Sequence, residues 1–121
     1  MINCIAVGLG GFVGAVLRYF MGMLPLKEYT QFPINTLLTN VIGAFVIGLI
    51  AAAALKNQDL DPRLVLFIKT GLCGGFTTFS TFALETSDLL KDGANVIAFL
   101  YIVLSIALCV AAVIAAQMIM K

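Results

Sequence analysis

The sequence predicts an all-α integral membrane protein with four transmembrane helices in one domain, residues 1–121. Three observations predict it. Of the 121 residues, 62% are hydrophobic and only 11% charged, where a soluble domain carries about a quarter charged residues. The mean hydropathy is +1.12. Nearly uninterrupted apolar stretches cover 2–24, 34–55, 64–90 and 94–120, and a hydrocarbon core about 30 Å thick needs roughly 20 helical residues. The lipid offers the backbone no hydrogen bonds, so each stretch crosses as a helix.

The first span starts at residue 2 without a basic leader or a cleavage-like small-residue site, which reads as a retained span rather than a signal peptide. Pro25 to Pro33 connects it to the second span, and Lys56 to Arg63 connects the second to the third. Within that connection Asp61-Pro62 is a helix start, with Asp as cap and Pro in the first turn. Asp92-Gly93 makes a tight reversal into the fourth span. All three prolines lie in these connections, and the chain shows no internal repeat or low-complexity segment.

The charges exclude several functions. Without histidine there is no His-based metal site or Ser-His triad. Seven basic against six acidic residues make no nucleic-acid surface. Cys4, Cys73 and Cys109 are an odd number in apolar sequence and suggest no disulfide framework. With four spans both termini share one side, carrying Lys56, Arg63 and Lys121, while Lys27 and Lys91 lie opposite. So small a positive-inside bias permits insertion in both orientations, and with it an antiparallel homodimer whose two-fold axis lies in the membrane plane. Gly10 and Gly14, and again Gly71 and Gly75, offer close-packing faces, either between subunits or only within one.

Polar residues inside the spans carry the functional signal. Gly10, Gly14, Arg18 and Gly22 share one face of the first span. Arg18 either snorkels to the headgroups or attracts anions at the mouth of an aqueous vestibule. Lys69 reads as a snorkelling lysine. In the second span Thr36 and Asn40 share a face, where the amide either glues helices or lines a path. In the fourth, Tyr101, Ser105 and Cys109 form a stripe at four-residue spacing.

The third span is the densest. Gly71 to Phe82 reads GLCGGFTTFSTF, whose glycines and hydroxyl residues lower helix propensity in mid-membrane. A helix break near Gly74 to Thr78 is expected, with freed carbonyls suited to a cation such as sodium. Phe76, Phe79 and Phe82 recur every three residues and either pack or present positive ring edges to an anion beside Ser80 and Thr81. Glu85, four residues after Thr81, ends the polar stripe or is simply solvated. Together these features suggest a path for a small, hard anion, lined by hydroxyls, an amide and aromatic edges.

These residues resemble the fluoride channel family known as Fluc or CrcB over the whole chain. The third-span motif is the most specific part. It is supported by GGFVGAVLRY from Gly10, NTLLTNVIGAFVIG from Asn35 and YIVLS from Tyr101. The resemblance implies a passive fluoride exporter in the cell membrane of a microbe, an antiparallel dual-topology homodimer with two pores. It implies that Phe79 and Phe82 meet fluoride with their ring edges and that Asn40, Thr36, Ser80, Thr81, Tyr101 and Ser105 belong to the pore. Arg18 would lie at the vestibule. Gly74 and Thr77 would hold one structural sodium ion through backbone carbonyls from both subunits. Cys109 departs from the pattern, standing where a further hydroxyl is expected, and a thiol is a weaker donor.

Three alternatives compete. A small dual-topology multidrug or cation transporter would need an acid in the first span, where this chain has glycines. An accessory subunit would leave the clustered glycines and threonines unexplained. A heterodimer with a paralogue would not need a partner's phenylalanines, since both are present here.

Overall fold

The computed structural model describes residues 1–121 apart from the side chain of Lys27, whose charge, counted above opposite the termini, lies outside the described residues. Helix α1 spans Ile2–Gly22. A 3-10 turn, Pro25–Glu28, leads to α2, Ile34–Lys56. The third apolar segment, Pro62–Lys91, is made of several pieces. They are α3, Pro62–Val65, a π-helical stretch Leu66–Leu72, α4, Cys73–Phe76, and α5, Phe79–Lys91. Helix α6 spans Asn95–Ile119. Four helical segments are therefore long and apolar enough to cross a membrane, and the described residues contain no strand. Large apolar side chains such as Phe12, Phe99 and Ile106 face outward, the arrangement expected where the surroundings are hydrocarbon.

Local chemistry explains the ends. Asp61 accepts the backbone N–H of Arg63 at 2.9 Å, and Pro62 occupies the first helical position, where its missing N–H costs nothing. At the other end of this span Gly93 takes φ +79°. Its N–H reaches Leu90 O at 3.1 Å and that of Ala94 reaches Leu89 O at 2.9 Å, the paired bonds of a Schellman cap. The end of α1 is closed from a distance. Asn35 is buried, and its Nδ2 donates to Gly22 O at 3.3 Å and Leu24 O at 2.9 Å. Lys56 Nζ donates to the carbonyls of Met120 and Lys121 at 3.3 and 3.1 Å, which ties the ends of α2 and α6 on one side.

Glycines set how close the helices come. A Cβ on Gly10 would run into Phe67 O, one on Gly14 into Leu72 O, and one on Gly75 would stand 2.6 Å from Gly11 O. A Cβ on Gly71 would lie 2.7 Å from Val7 O. The four glycines left open between two uses thus join α1 to the third segment within one chain. Gly71 belongs to the π-helical stretch, a winding that the apolar pattern does not signal. Helix α2 packs along α6, where Gly48 faces Ala116 at 2.9 Å from the position of a Cβ. Tyr101 of α6 is fully buried in a cluster with Leu89, Ala98, Phe32 and Phe82.

Gly14→Ala should destabilise the protein by about 1–3 kcal/mol, because backbone atoms rather than a movable side chain obstruct the new methyl. Gly8→Ala, with nothing within 4 Å of its Cβ among the described residues, should stay within about 0.5 kcal/mol of the parent. Thermal melts in detergent, followed by the loss of the monodisperse peak, compare the two. Equal melting temperatures would remove the close-packing argument.

Candidate functional site

The site begins where helical bonding stops. Thr77 and Thr78, between α4 and α5, are extended, with φ/ψ of −78°/158° and −151°/116°. Two adjacent β-branched residues after Gly-Gly-Phe favour such backbone over helix. Gly74 and Gly75, where the break was also expected, stay helical within α4. Each helix end leaves carbonyls or N–H groups without helical partners, and at this depth each needs one.

Neighbouring helices supply several. Thr78 N donates to Asn40 Oδ1 at 2.8 Å, and Asn40 Nδ2 donates to Thr78 O at 3.1 Å, so the amide side chain of α2 pairs with the N–H and C=O of one extended residue as a neighbouring strand would. Arg18 Nε of α1 donates to Gly75 O at 2.9 Å. The Thr78 hydroxyl accepts Thr81 N at 3.2 Å as the N-cap of α5 and donates to the Thr81 hydroxyl at 3.1 Å. Ser80, which is exposed, lies 3.3 Å from the same Thr78 hydroxyl. The Thr77 hydroxyl donates back to Cys73 O at 2.8 Å. Two carbonyls are freed by these choices. In a continuous helix Thr78 N would serve Gly74 O and Thr81 N would serve Thr77 O, but those donors go to Asn40 and to the Thr78 hydroxyl.

Two cavities flank this junction. One, of about 470 Å³, is lined by Arg18, Asn35, Thr36, Thr39, Thr78 and Thr81. The other, of about 390 Å³, is lined by Asn40, Gly74, Thr77, Phe79, Phe82, Ser105 and Cys109, with Cys73 and again Thr78. Most of the residues singled out in the sequence therefore gather at one place. Phe79 is 80% exposed, its ring centroid 5.5 Å from that of Phe82. Phe82 in turn lies 5.0 Å from Tyr101. Ser105 Oγ is buried and has no hydrogen-bond partner among the described residues.

Tyr101 and Glu85 line neither cavity. The Tyr101 hydroxyl donates to Glu85 Oε1 at 2.9 Å, which gives the half-buried carboxylate a partner inside the bundle. Lys69 is exposed within the π-helical stretch. Asn35 and Thr39 were not among the sequence candidates, and Thr78 was expected only as the end of the helix break. Thr78 centres the junction, and the spacing Thr78 to Thr81, a hydroxyl three residues before an N–H it can cap, was the available signal. Asn35 closes α1 from one turn before Thr39, whose hydroxyl bonds back to Asn35 O at 2.7 Å. Nothing in the pattern distinguishes Asn35 from an ordinary first-turn residue.

The chain is similar to known proteins along its whole length. The family described as CrcB-like protein, Camphor Resistance (CrcB), matches residues 5–117. A fluoride-specific ion channel FluC of Ruminiclostridium cellulolyticum is 48% identical across 100% of this chain and 94% of its own length. Similar proteins of the same name occur in Rhizobium johnstonii, 43% identical over 100% of this chain and 98% of theirs, and in Chlorobaculum tepidum, 44% identical over 88% and 85%. With a family match over nearly all of a four-span chain and relatives 43–48% identical over most of its length, the protein belongs to the CrcB family.

Proposed function

We propose that this protein is a fluoride-selective channel of the cell membrane that exports fluoride passively, and that it is not an enzyme. The observation that carries the reading is the junction at Thr78, with an amide, hydroxyls and two phenylalanines around it in a family whose relatives are named fluoride-specific ion channels. Fluoride holds its water tightly, so a path for it needs donors whose hydrogens are not already engaged. Thr77 and Thr39 give theirs to backbone carbonyls, and Tyr101 gives its own to Glu85. Asn40 keeps a second N–H. The hydroxyl of Thr81, which accepts from Thr78, keeps its hydrogen, and Ser105 Oγ is unpaired among the described residues. These three supply the donors, with the edges of Phe79 and Phe82 beside them. Tyr101 then acts as the packed wall behind Phe82. The remaining N–H groups of Arg18, at the larger cavity, draw the anion in.

The working unit is an antiparallel, dual-topology homodimer with two pores. The near balance of flanking charge supports it, as does Phe79, which a lone chain leaves largely exposed. Sodium fits Gly74 and Thr77, whose carbonyls are hard oxygens with their helical donors diverted. When bound, the ion supplies fixed positive charge that holds these carbonyls of the two subunits together.

Fluoride efflux from liposomes, read with a fluoride electrode and with potassium ionophore balancing charge, tests the function. Fast release of fluoride with chloride retained is expected, and no release from a well-folded dimer would overturn it. Phe79→Ile should cut the flux about tenfold or more, equivalent to roughly 1.4 kcal/mol, while the elution profile stays that of the parent. Unchanged flux would reduce the ring to packing. Asn40→Asp should fall at least as far, since it places an acceptor against Thr78 O and negative charge in an anion path; parental flux would put Asn40 outside the pore. Native mass spectrometry should show twice the chain mass with one sodium retained, and a monomer or a sodium-free dimer would remove that part of the proposal.

A further inference from the structure

We propose that Gly43 of α2 is a positioning residue for the carbonyl of Thr77: its missing side chain seats the Thr77 methyl and thereby sets how tightly sodium is held. The proposal rests on the sodium reading given above and adds to it a residue that supplies no ligand. Three observations carry it. Gly43 is buried, and a Cβ built on it would strike Cγ2 of Thr77 and stand 3.3 Å from Cδ2 of Phe76. The Thr77 hydroxyl donates to Cys73 O at 2.8 Å, so the methyl against Gly43 and the hydroxyl against α4 together hold the side chain in one rotamer. Asn40, three residues before Gly43 on the same side of α2, holds the N–H and C=O of Thr78. Helix α2 therefore grips both residues of the interruption, Thr77 by packing and Thr78 by hydrogen bonds.

The packing matters because little else restrains this carbonyl. Thr77 N still bonds to Cys73 O at 3.0 Å, but Thr77 O has lost the N–H of Thr81 to the Thr78 hydroxyl. Gly74, the other proposed ligand, lies within α4 and is exposed, and a Cβ on it would meet nothing within 4 Å among the described residues. The contact with Gly43 thus acts on Thr77 and not on Gly74. A β-branched side chain has few rotamers to retreat to. With a methyl at residue 43, Thr77 either turns about χ1, which takes its hydroxyl off Cys73 O, or moves with its backbone and carries the carbonyl along. Serine in place of Thr77 keeps the hydroxyl and has no methyl to displace.

Equilibrium dialysis of the purified protein against radioactive sodium in choline buffer reads the affinity directly, without fluoride flux. Gly43→Ala should weaken sodium binding by about tenfold or more, the low end of what an added methyl costs in a packed interior. The same alanine beside serine, read as Gly43→Ala/Thr77→Ser against Thr77→Ser, should cost about twofold at most, the scatter of sites that do not interact. An equal loss in both backgrounds, or no loss in either, would overturn the proposal. Where Gly43→Ala alone elutes as aggregate, the two serine variants still decide. Recovery of the parental elution profile with sodium binding within about twofold of Thr77→Ser supports the contact, and a tenfold loss there overturns it. Parent protein that binds no sodium would sink the sodium reading, and this proposal with it, whereas sodium binding indifferent to Gly43 would sink the proposal alone.

Discussion

The structure turns on the two hydrogen bonds between the Asn40 side chain and the backbone N–H and C=O of Thr78. A helix interrupted in the middle of a membrane exposes backbone groups that lipid cannot satisfy. Each buried polar group left unpaired costs about 1–3 kcal/mol even in protein interiors. Asn40 meets this by presenting a donor and an acceptor side by side, the complement of the C=O and N–H that Thr78 turns toward it. A hydroxyl offers its donor and acceptor from one atom and so spans the two backbone groups less well, and a carboxylate would oppose the carbonyl. The extended backbone at Thr77 and Thr78 is thus a property of α2 as much as of the third segment. Its stability depends on the register between the two.

That register is itself a consequence of small residues. Gly43, one turn beyond the level of Asn40, leaves room for the methyl of Thr77, which a Cβ there would strike. On the other side Gly10 and Gly14 bring α1 against the backbone of Gly71, Leu72 and Gly75. Arg18 follows Gly14 by four residues and so stands on the same face, at the height where Gly75 O has lost the N–H of Phe79 as a helical partner. Its Nε closes that carbonyl. The charge held at the larger cavity and the cap of α4 are therefore one side chain, and the glycine contact places both.

The four spans were legible because lipid makes backbone bonding obligatory and apolar length decisive, and loops this short leave few alternatives. The residues around the junction were legible as types, since threonines, glycines and an asparagine are poor choices for a lipid-facing helix. Their pairing was not. Whether Arg18 snorkels or caps, and whether Glu85 meets water or Tyr101, depends on which side chain a neighbouring helix brings to the same height, and a single sequence contains no such register. The π-helical winding of Leu66–Leu72 was hidden for a related reason. Its Gly71 lies against Val7 and Gly10 of α1, a contact between segments, and the winding leaves no period of its own in seven residues.

The geometry also bears on why the anion should be small. Thr78 borders both cavities and Asn40 the smaller one, and under the channel reading an ion moving between them passes the Asn40 amide. One N–H of that amide is held by Thr78 O, and this fixes the direction of the other. A donor fixed in this way cannot swing to follow an ion of any size. It rewards an anion that approaches closely and concentrates its charge, because attraction at fixed sign rises as separation falls. On the proposed path a larger halide would meet the same donors at longer range and need more room beside Phe79 and Phe82, rings whose spacing follows the packing of Phe82 on the buried Tyr101. The hydrogen bond from Tyr101 to Glu85 holds that support in place from outside both cavities. Under the channel reading, selectivity is then a property of stiffness, and the stiffness originates in the same bonds that allow the third segment to be interrupted at all.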